Sequence, residues 1–349
     1  MGPVTPARAT RMLGAHASDI VLAAQILRDG GLVAFPTETV YGLGADAFSW
    51  SAVARIFEAK GRPADDPLIV HVLDLEQAAR VARLSALARE LAEAFMPGPL
   101  TLVLPRLAVV PDVVTAGLDT VAVRMPAHPV ALALLASAGL PIAAPSANLF
   151  SRPSPTRASH VLEDLGGRID AIVDGGPSPV GVESTIVDLS EQEPRLLRPG
   201  GLAAEAIEAV LGQPLLPAVA AVAPRAPGML ATHYAPRTPL VLVAGPADAA
   251  RARLAGELDQ ALAAGRRVGL LLLDEDHALR APGIVAEPVG SSFEPDAVAA
   301  RLFDGLRALD RAGLDVLFAR DLADPTTGIG RALADRLRRA AQRVIRVDA

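Results

Sequence analysis

Short apolar runs separated by amphipathic stretches recur along almost the whole chain, and this rhythm constrains the fold more than any other feature. LVAFP (32–36), LIVHV (68–72), LTLVL (100–104), VAVRM (121–125), PIAAP (141–145), AIVD (171–174) and STIVDL (184–189) have the length and aliphatic content of buried strands. Helical patterns lie among them at 18–31, 50–59, 74–80, 85–95, 128–138 and 156–165. Ser18 and Thr156 suit N-caps, and Gly30 with Gly31 suits a stop. Strands alternating with helices indicate an α/β domain, and connections of unequal length predict a mixed sheet. RLLRPGG (195–201) and a helix near 203–211 close this unit.

The segment 212–239 is dense in Pro and Ala and has no period, so it reads as an extended linker. An α/β rhythm then restarts: LVLVAG (240–245), a helix to about 264, RVGLLLLD (267–274), GIVAEPVG (283–290), a helix over 295–312, DVLFARDL (315–322), a helix over 328–342 and VIRVD (344–348). The expected organisation is a catalytic domain over 1–211, the linker over 212–239, and a smaller Rossmann- or flavodoxin-like domain over 240–349. Residues 1–17 read as a loose terminus. A length of 349 residues suits two domains, and aromatics at 3% mean aliphatic cores.

Absences narrow the chemistry. Without cysteine there are no disulfides, no thiol nucleophile and no Cys-ligated zinc. Six histidines lack paired spacing, so no protein-built metal site is expected. No apolar run approaches the roughly 18 residues of a membrane span, and the start has no secretory apolar region, so a cytoplasmic setting is expected. A net charge of −6 gives no global attraction for nucleic acid, so any anion site must be local. P-loop and dinucleotide fingerprints are missing too.

Against an arginine-rich background, Lys60 is the sole lysine, Asn148 the sole asparagine, and Tyr41 and Tyr234 the two tyrosines. All four fall in segments that look like sites. PTETVYGLGADA (36–47) packs Thr37, Glu38, Thr39 and Tyr41 into a glycine-containing loop after a strand, which reads as a polar pocket. KGRP (60–63) aims Lys60 and Arg62 from a helix end; dipole compensation is the bland reading, a polyphosphate site the functional one. His71 on an apolar strand is more often a satisfied core residue than a catalyst. Arg124 in VAVRMP needs a partner when buried, either an ion pair or a small carboxylate ligand. APSANLFSRPSPT (144–156) opens a buried strand into Ser146, Asn148 and Ser154, while Ser184 and Arg198 flank later strands.

Those segments, in that order, resemble the YrdC-type threonylcarbamoyl-AMP synthase family: FPTETVYGLGADA, KGRPADDPLIVHV, PGPLTLVL, VAVRMPAHP, APSANLFSRPSPT, GVESTIVDL and LLRPGG. ATHYAPRTPL and GIGRALADRLRRA are similar to the linker and tail of its long, two-domain form. The resemblance implies a twisted mixed sheet with a positive, concave cavity. It implies that L-threonine, bicarbonate and ATP with Mg²⁺ give threonylcarbamoyl-AMP and pyrophosphate, the first step toward threonylcarbamoyladenosine in tRNA. Hand-off to a tRNA threonylcarbamoyl transferase complex would follow.

The residue roles are likewise implied by the resemblance. Thr37, Thr39, His71, Arg124, Ala144 and Ser184 would hold threonine and its carbamate. Arg62, Asp66, Thr120, Ser146, Ser154 and Arg198 would hold the nucleotide. Lys60, Arg62 and Asn148 would act at the phosphates and reacting carbonate, with Tyr234 folding over as part of a lid. At Asp66 an Asn or another polar residue is expected, and Ala144 offers only main chain. An RNA-binding or regulatory YrdC-like protein is the alternative, disfavoured by the acidic charge and scarce aromatics. Carbamoyl-transferring relatives of hydrogenase maturation carry cysteine-rich zinc modules, which this chain cannot. The Arg-rich last helix, with Arg331, Arg336, Arg338, Arg339 and Arg343, reads as a solvated face.

Overall fold

A computed structural model describes residues 9–218, 233–322 and 326–348. Expectations for residues 1–8 of the terminus and 219–232 of the linker lie outside the described residues. The first sheet comprises β1 (Arg11–Leu13), β2 (Val33–Phe35), β3 (Gly42–Asp46), β4 (Ile69–His71), β5 (Leu100–Pro105), β6 (Thr120–Arg124), β7 (Ile142–Ala143), β8 (Ala171–Val173), β9 (Thr185–Asp188), β10 (Arg195–Arg198) and β11 (Leu216–Pro217). Its spatial order is β1-β8-β2-β3-β7-β4-β6-β5-β9-β10-β11, with parallel and antiparallel neighbours mixed as expected.

Two expectations give way here. The terminus read as loose supplies β1, whose three residues pair in parallel with β8. The glycine-containing segment 36–47 is a loop only in its first half. GLGAD forms β3, antiparallel to β2, because Gly44 leaves room for Phe35 and Ile142, which an added Cβ would meet at 2.9 and 2.7 Å. The predicted caps also move. The first helix, Ala17–Arg28, has His16 as N-cap, and Ala158–Leu165 has Arg157, neither with a side-chain cap bond.

The two faces of the sheet have different burdens. Leu68, Val70 and Val123 join a large aliphatic core beneath the helices. Alternation then turns Ile69 with His71, and Ala122 with Arg124, to the other face. There Ile69, Val103, Ala122, Ile186 and Leu197 make a small apolar floor. In register, His71 pairs with Arg124 across parallel β4 and β6, so two polar side chains stand together at the edge of that floor.

The second sheet has β12 (Leu240–Ala244), β13 (Val268–Leu273), β14 (Ile284–Gly290), β15 (Val316–Arg320) and β16 (Arg343–Arg346). All pairings are parallel, in the order β14-β13-β15-β12-β16. Helix Ala247–Ala263 packs on one face, through Ala250, Leu254 and Leu258. Helices Pro295–Arg311 and Gly328–Ala340 pack on the other. The unit is therefore doubly wound, with its own strand order.

The face bearing those two helices also packs on the first sheet's loops. Val40, Val182 and Tyr234 belong to the same apolar cluster as Leu302, Phe303 and Leu333. Gly181 (φ 79°) lies so close to helix Pro295–Arg311 that a Cβ there would be 2.1 Å from the Ala299 carbonyl oxygen. Charges seal the junction: Arg307 Nη2 donates to Asp164 Oδ2 and to the Pro153 carbonyl, both at 2.6 Å, and Arg152 meets Asp310 at 2.9 Å.

Candidate active site

Above the apolar floor a cavity opens between the loop after β2, the ends of β4 and β6, the start of β9, the end of β10 and the His233–Tyr234 segment. Thr37, Thr39, Arg62, His71, Arg124, Ser146, Ser184 and Arg198 line it together, with Ser184 against Arg198, and Ala144 contributes to the wall. Its free space is about 40 Å³, room for a few waters.

Local structure explains each position. Thr37 Oγ1 donates to the Val40 carbonyl at 2.6 Å and lies 2.8 Å from Thr39 Oγ1, which folds the loop after β2 into a tight hydroxyl-bearing turn. Tyr41, grouped with these hydroxyls by sequence, instead sends its Oη to the Gly176 carbonyl at 2.7 Å. Arg124 Nη2 lies 2.7 Å from Glu38 Oε1, and Glu38 Oε2 accepts from Ala127 N. Arg124 Nε and His71 Nδ1 are buried with no protein partner among the described residues. Burial, and then the Arg124 charge, push His71 down to about 3, so it is a neutral imidazole at ordinary pH.

Helix Trp50–Lys60 is capped by Ser49 and stopped by left-handed Gly61 (φ 62°), so the chain turns and brings Arg62 inward. Arg62 donates to the Asp66 and Pro67 carbonyls, and its Nη2 is 2.9 Å from Asp66 Oδ2. Arg198 donates to the Ser184 carbonyl through Nε at 3.2 Å and Nη2 at 2.9 Å, and Ser184 Oγ also meets Thr101 Oγ1. Gly200 is needed for this join, because a Cβ would come within 2.4 Å of Glu183 and Thr185 backbone atoms.

Several residues assigned from sequence stand outside the cavity lining. Lys60 is buried beneath it; its Nζ donates to the Ser146 and Asn148 carbonyls at 2.6 and 2.5 Å, tying the loop after β7 to the helix. Burial, reinforced by Arg62, pushes its ammonium well below the ordinary lysine value. Asn148 braces the same loop by donating to the Leu149 and Arg152 carbonyls, and its Oδ1 is buried without a partner among the described residues. Asp66 is the carboxylate anchor of Arg62, and its own pKa is raised by burial. Ser154 gives its hydroxyl to Glu183 Oε1 at 2.5 Å. Thr120 begins β6, about 13 Å along the strand from Arg124, too far along to share its end of the cavity.

Glu183 and His233 line the cavity and were not singled out from sequence. Glu183 was hidden by being one acid beside a serine; its partners are Ser154 and the distant Arg336. Burial alone would raise its carboxyl, but Arg336, Arg198 and Ser154 outweigh that and hold it below the usual carboxylate range. His233 neighbours Tyr234, and its adjacency in the HY pair was the available signal. Burial pushes it down to about 3. Tyr234, at φ 63°, is buried in the cavity wall; burial raises its hydroxyl to about 12, and the oxygen has no partner among the described residues.

Comparison with known proteins matches this arrangement along the chain. The Sua5/YciO/YrdC family model, described as telomere recombination, covers residues 25–200. A second model, described as threonylcarbamoyl-AMP synthase, C-terminal domain, covers 202–342. The chain belongs to this family. Threonylcarbamoyl-AMP synthase of Pyrococcus abyssi is 47% identical over 337 residues, spanning 94% of this chain and 96% of the relative. That of Bacillus subtilis is 46% identical over 346 residues, spanning 97% of each. A crystal structure of P. abyssi Sua5 complexed with L-threonine superposes with a TM-score of 0.91 at 45% identity, covering 97% of this chain and all of that one.

Proposed function

We propose that this protein is a threonylcarbamoyl-AMP synthase, a nucleotidyltransferase that joins L-threonine, bicarbonate and ATP. One observation carries the reading: Arg62, Arg124 and Arg198 line a single cavity together with His71 and the hydroxyls of Thr37, Thr39, Ser146 and Ser184. Full-length likeness to relatives bearing that name supports it.

In this reading threonine's carboxylate takes the buried Arg124 Nε, and neutral His71 with the Thr39 and Ser184 hydroxyls selects the hydroxylated side chain. Threonine's amine and bicarbonate give N-carboxythreonine and water. Its new carboxylate attacks the α-phosphorus in line, the bond to the bridging oxygen breaks, and pyrophosphate leaves. Such a transfer depends on positioning and charge stabilisation rather than on a covalent intermediate. Arg62 and Arg198 offer charge that does not have to reorganise, because each is held by main-chain carbonyls. Lys60 and Asn148 act by fixing the loop that carries Ser146.

Mg²⁺ would enter with the triphosphate. Such an ion would be held mostly by phosphate oxygens and waters. Asn148 Oδ1, buried without a partner among the described residues in the loop that carries Ser146, is one protein oxygen that would accept from such a water. Bound Mg²⁺ neutralises developing phosphate charge.

His233 and Tyr234 line the cavity, and in this reading they form the lid that shields a water-labile mixed anhydride. We place the catalytic unit at 1–211 and the linker that carries this lid at 212–239. A cytoplasmic site and transfer of the product to a tRNA-modifying partner accompany this reading; no helix among the described residues is long and apolar enough to cross a membrane.

The decisive assay is pyrophosphate release with threonine, serine and bicarbonate supplied or omitted in turn. Release that requires both threonine and bicarbonate supports the assignment. Salt-sensitive RNA binding without such release would favour the RNA-binding alternative.

A further inference from the structure

The last long helix, Gly328–Ala340, presents Ala332, Leu333, Leu337 and Ala340 to the core, and Arg336 lies within that apolar stripe with a side chain 0% exposed. An arginine in such a stripe costs desolvation unless every donor is used. Its donors go mainly to the other sheet's loops. Nε donates to Glu183 Oε2 at 2.7 Å, Nη2 to the Pro199 carbonyl at 3.0 Å, and Nη1 to Asp335 Oδ2 at 2.5 Å. The guanidinium carbon also sits 5.0 Å from the centre of the Tyr234 ring, in cation–π range.

Three separate pieces of cavity wall thus meet one guanidinium. Glu183 precedes Ser184, Pro199 follows Arg198, and Tyr234 is the wall segment from beyond the linker. Glu183 is tied in turn to Ser154, and its carbonyl accepts from Gly201 N. Only a planar fork with an aromatic-stacking face serves all three at once; an ammonium is a point donor.

We infer that Arg336 is a positioning residue for the adenylate-forming reaction, through which the C-terminal sheet sets Arg198 and Tyr234 against the nucleotide. This rests on the synthase reading of the cavity. The C-terminal unit is then part of the active-site wall and not a separate attachment. The described partners of Arg336 are Glu183, Asp335, the Pro199 carbonyl and the Tyr234 ring, and not Arg124 or His71, which this reading gives to threonine.

The test uses the full chain with Arg336→Met, Arg336→Lys, Tyr234→Leu and the Arg336→Met/Tyr234→Leu double variant. For Arg336→Met, turnover is expected to fall about 100-fold, with ATP binding by calorimetry weakened and threonine binding unchanged. Arg336→Lys keeps the charge on Glu183 and should still lose about 10-fold in ATP affinity, because the fork and the stacked face are gone. In the double variant the two losses should combine to much less than their product. Thermal melting separates this from a merely structural role, which would lower the melting temperature while leaving turnover and ATP affinity intact well below it. That result, or a double variant whose losses multiply in full, overturns the inference. Wild-type protein without threonine-dependent pyrophosphate release would sink the synthase reading instead, and ATP calorimetry would still decide whether Arg336 shapes that end of the cavity.

Discussion

Arg307 and Asp164 form an ion pair at 2.6 Å across the junction of the two sheets, with side chains 0% and 1% exposed. Pairing of this kind is costly to break and cheap to replace as a whole. Asp164→Leu alone leaves a buried guanidinium, and unfolding free energy should drop by about 3–5 kcal/mol. Arg307→Met/Asp164→Leu together should recover most of that loss. Urea unfolding of the three proteins checks it; equal instability in the single and double variants would show that the Pro153 carbonyl bond matters more than the charge pair.

Lys60 anchors two carbonyls of the loop after β7 from below. Lys60→Ala strips a charged donor from both, so stability should fall by roughly 2 kcal/mol or more. Turnover should fall about 100-fold as Ser146 drifts. Lys60→Arg should do little better, since a planar fork cannot enter a space shaped for a compact ammonium. Rate assays with urea unfolding read both effects, and near-normal turnover in either variant would refute the anchoring role.

Arg124 is poised by Glu38 and keeps a buried Nε without an acceptor. Arg124→Met should raise the KM for threonine about 100-fold, the value of a charged hydrogen-bonded contact. The KM for ATP should hold. Steady-state kinetics with each substrate varied separates the two, and an equal rise in both would place Arg124 elsewhere in the chemistry.

Tyr234 carries a buried hydroxyl with no partner among the described residues. Tyr234→Phe removes an unpaired polar atom, so ligand-free protein should gain about 1 kcal/mol, while turnover falls if that hydroxyl meets the nucleotide. A gain in melting temperature with a loss in rate is the expected pairing. Lower stability in Tyr234→Phe would mean that the hydroxyl has an acceptor in solution.

His71 and His233 are both pushed down to about 3 by burial. Folded, they bind protons more weakly than the unfolded chain, whose histidines titrate near 6.5. As pH falls below that value the unfolded state takes up protons first, and stability drains away by up to about 1.4 kcal/mol per pH unit for each histidine. Urea unfolding at pH 7 and pH 5 should differ by roughly 4 kcal/mol, and His233→Gln should flatten the slope. Asp304, held at about 2 by His160 and Arg157 against a usual 3.8, adds its own loss only at still lower pH.

Much of this was legible in local patterns. Apolar runs marked most strands because buried strands need aliphatic faces, and the polar loops between them predicted where Arg62, Arg124, Ser184 and Arg198 gather. Strand β1 escaped because RML has no period of its own and exists by pairing with β8. Half of the loop 36–47 became β3 because Gly44 fits beneath Phe35, a contact no local rule displays. Lys60, Asp66 and Ser154 meet neighbouring carbonyls or charged side chains, contacts that sequence does not display, since it shows which groups can bind phosphate but not which already have a neighbour. Arg336 was read as solvated because its partner Glu183 lies 153 residues away.

The burial of Lys60 has a practical corollary. Beyond any α-amine, an acylating reagent finds a single primary amine in this protein, and that amine is 2% exposed and carries a depressed proton affinity. Label uptake at this position therefore counts how often the floor beneath the loop comes apart, and mass spectrometry of the intact chain can follow it residue-specifically without any introduced probe.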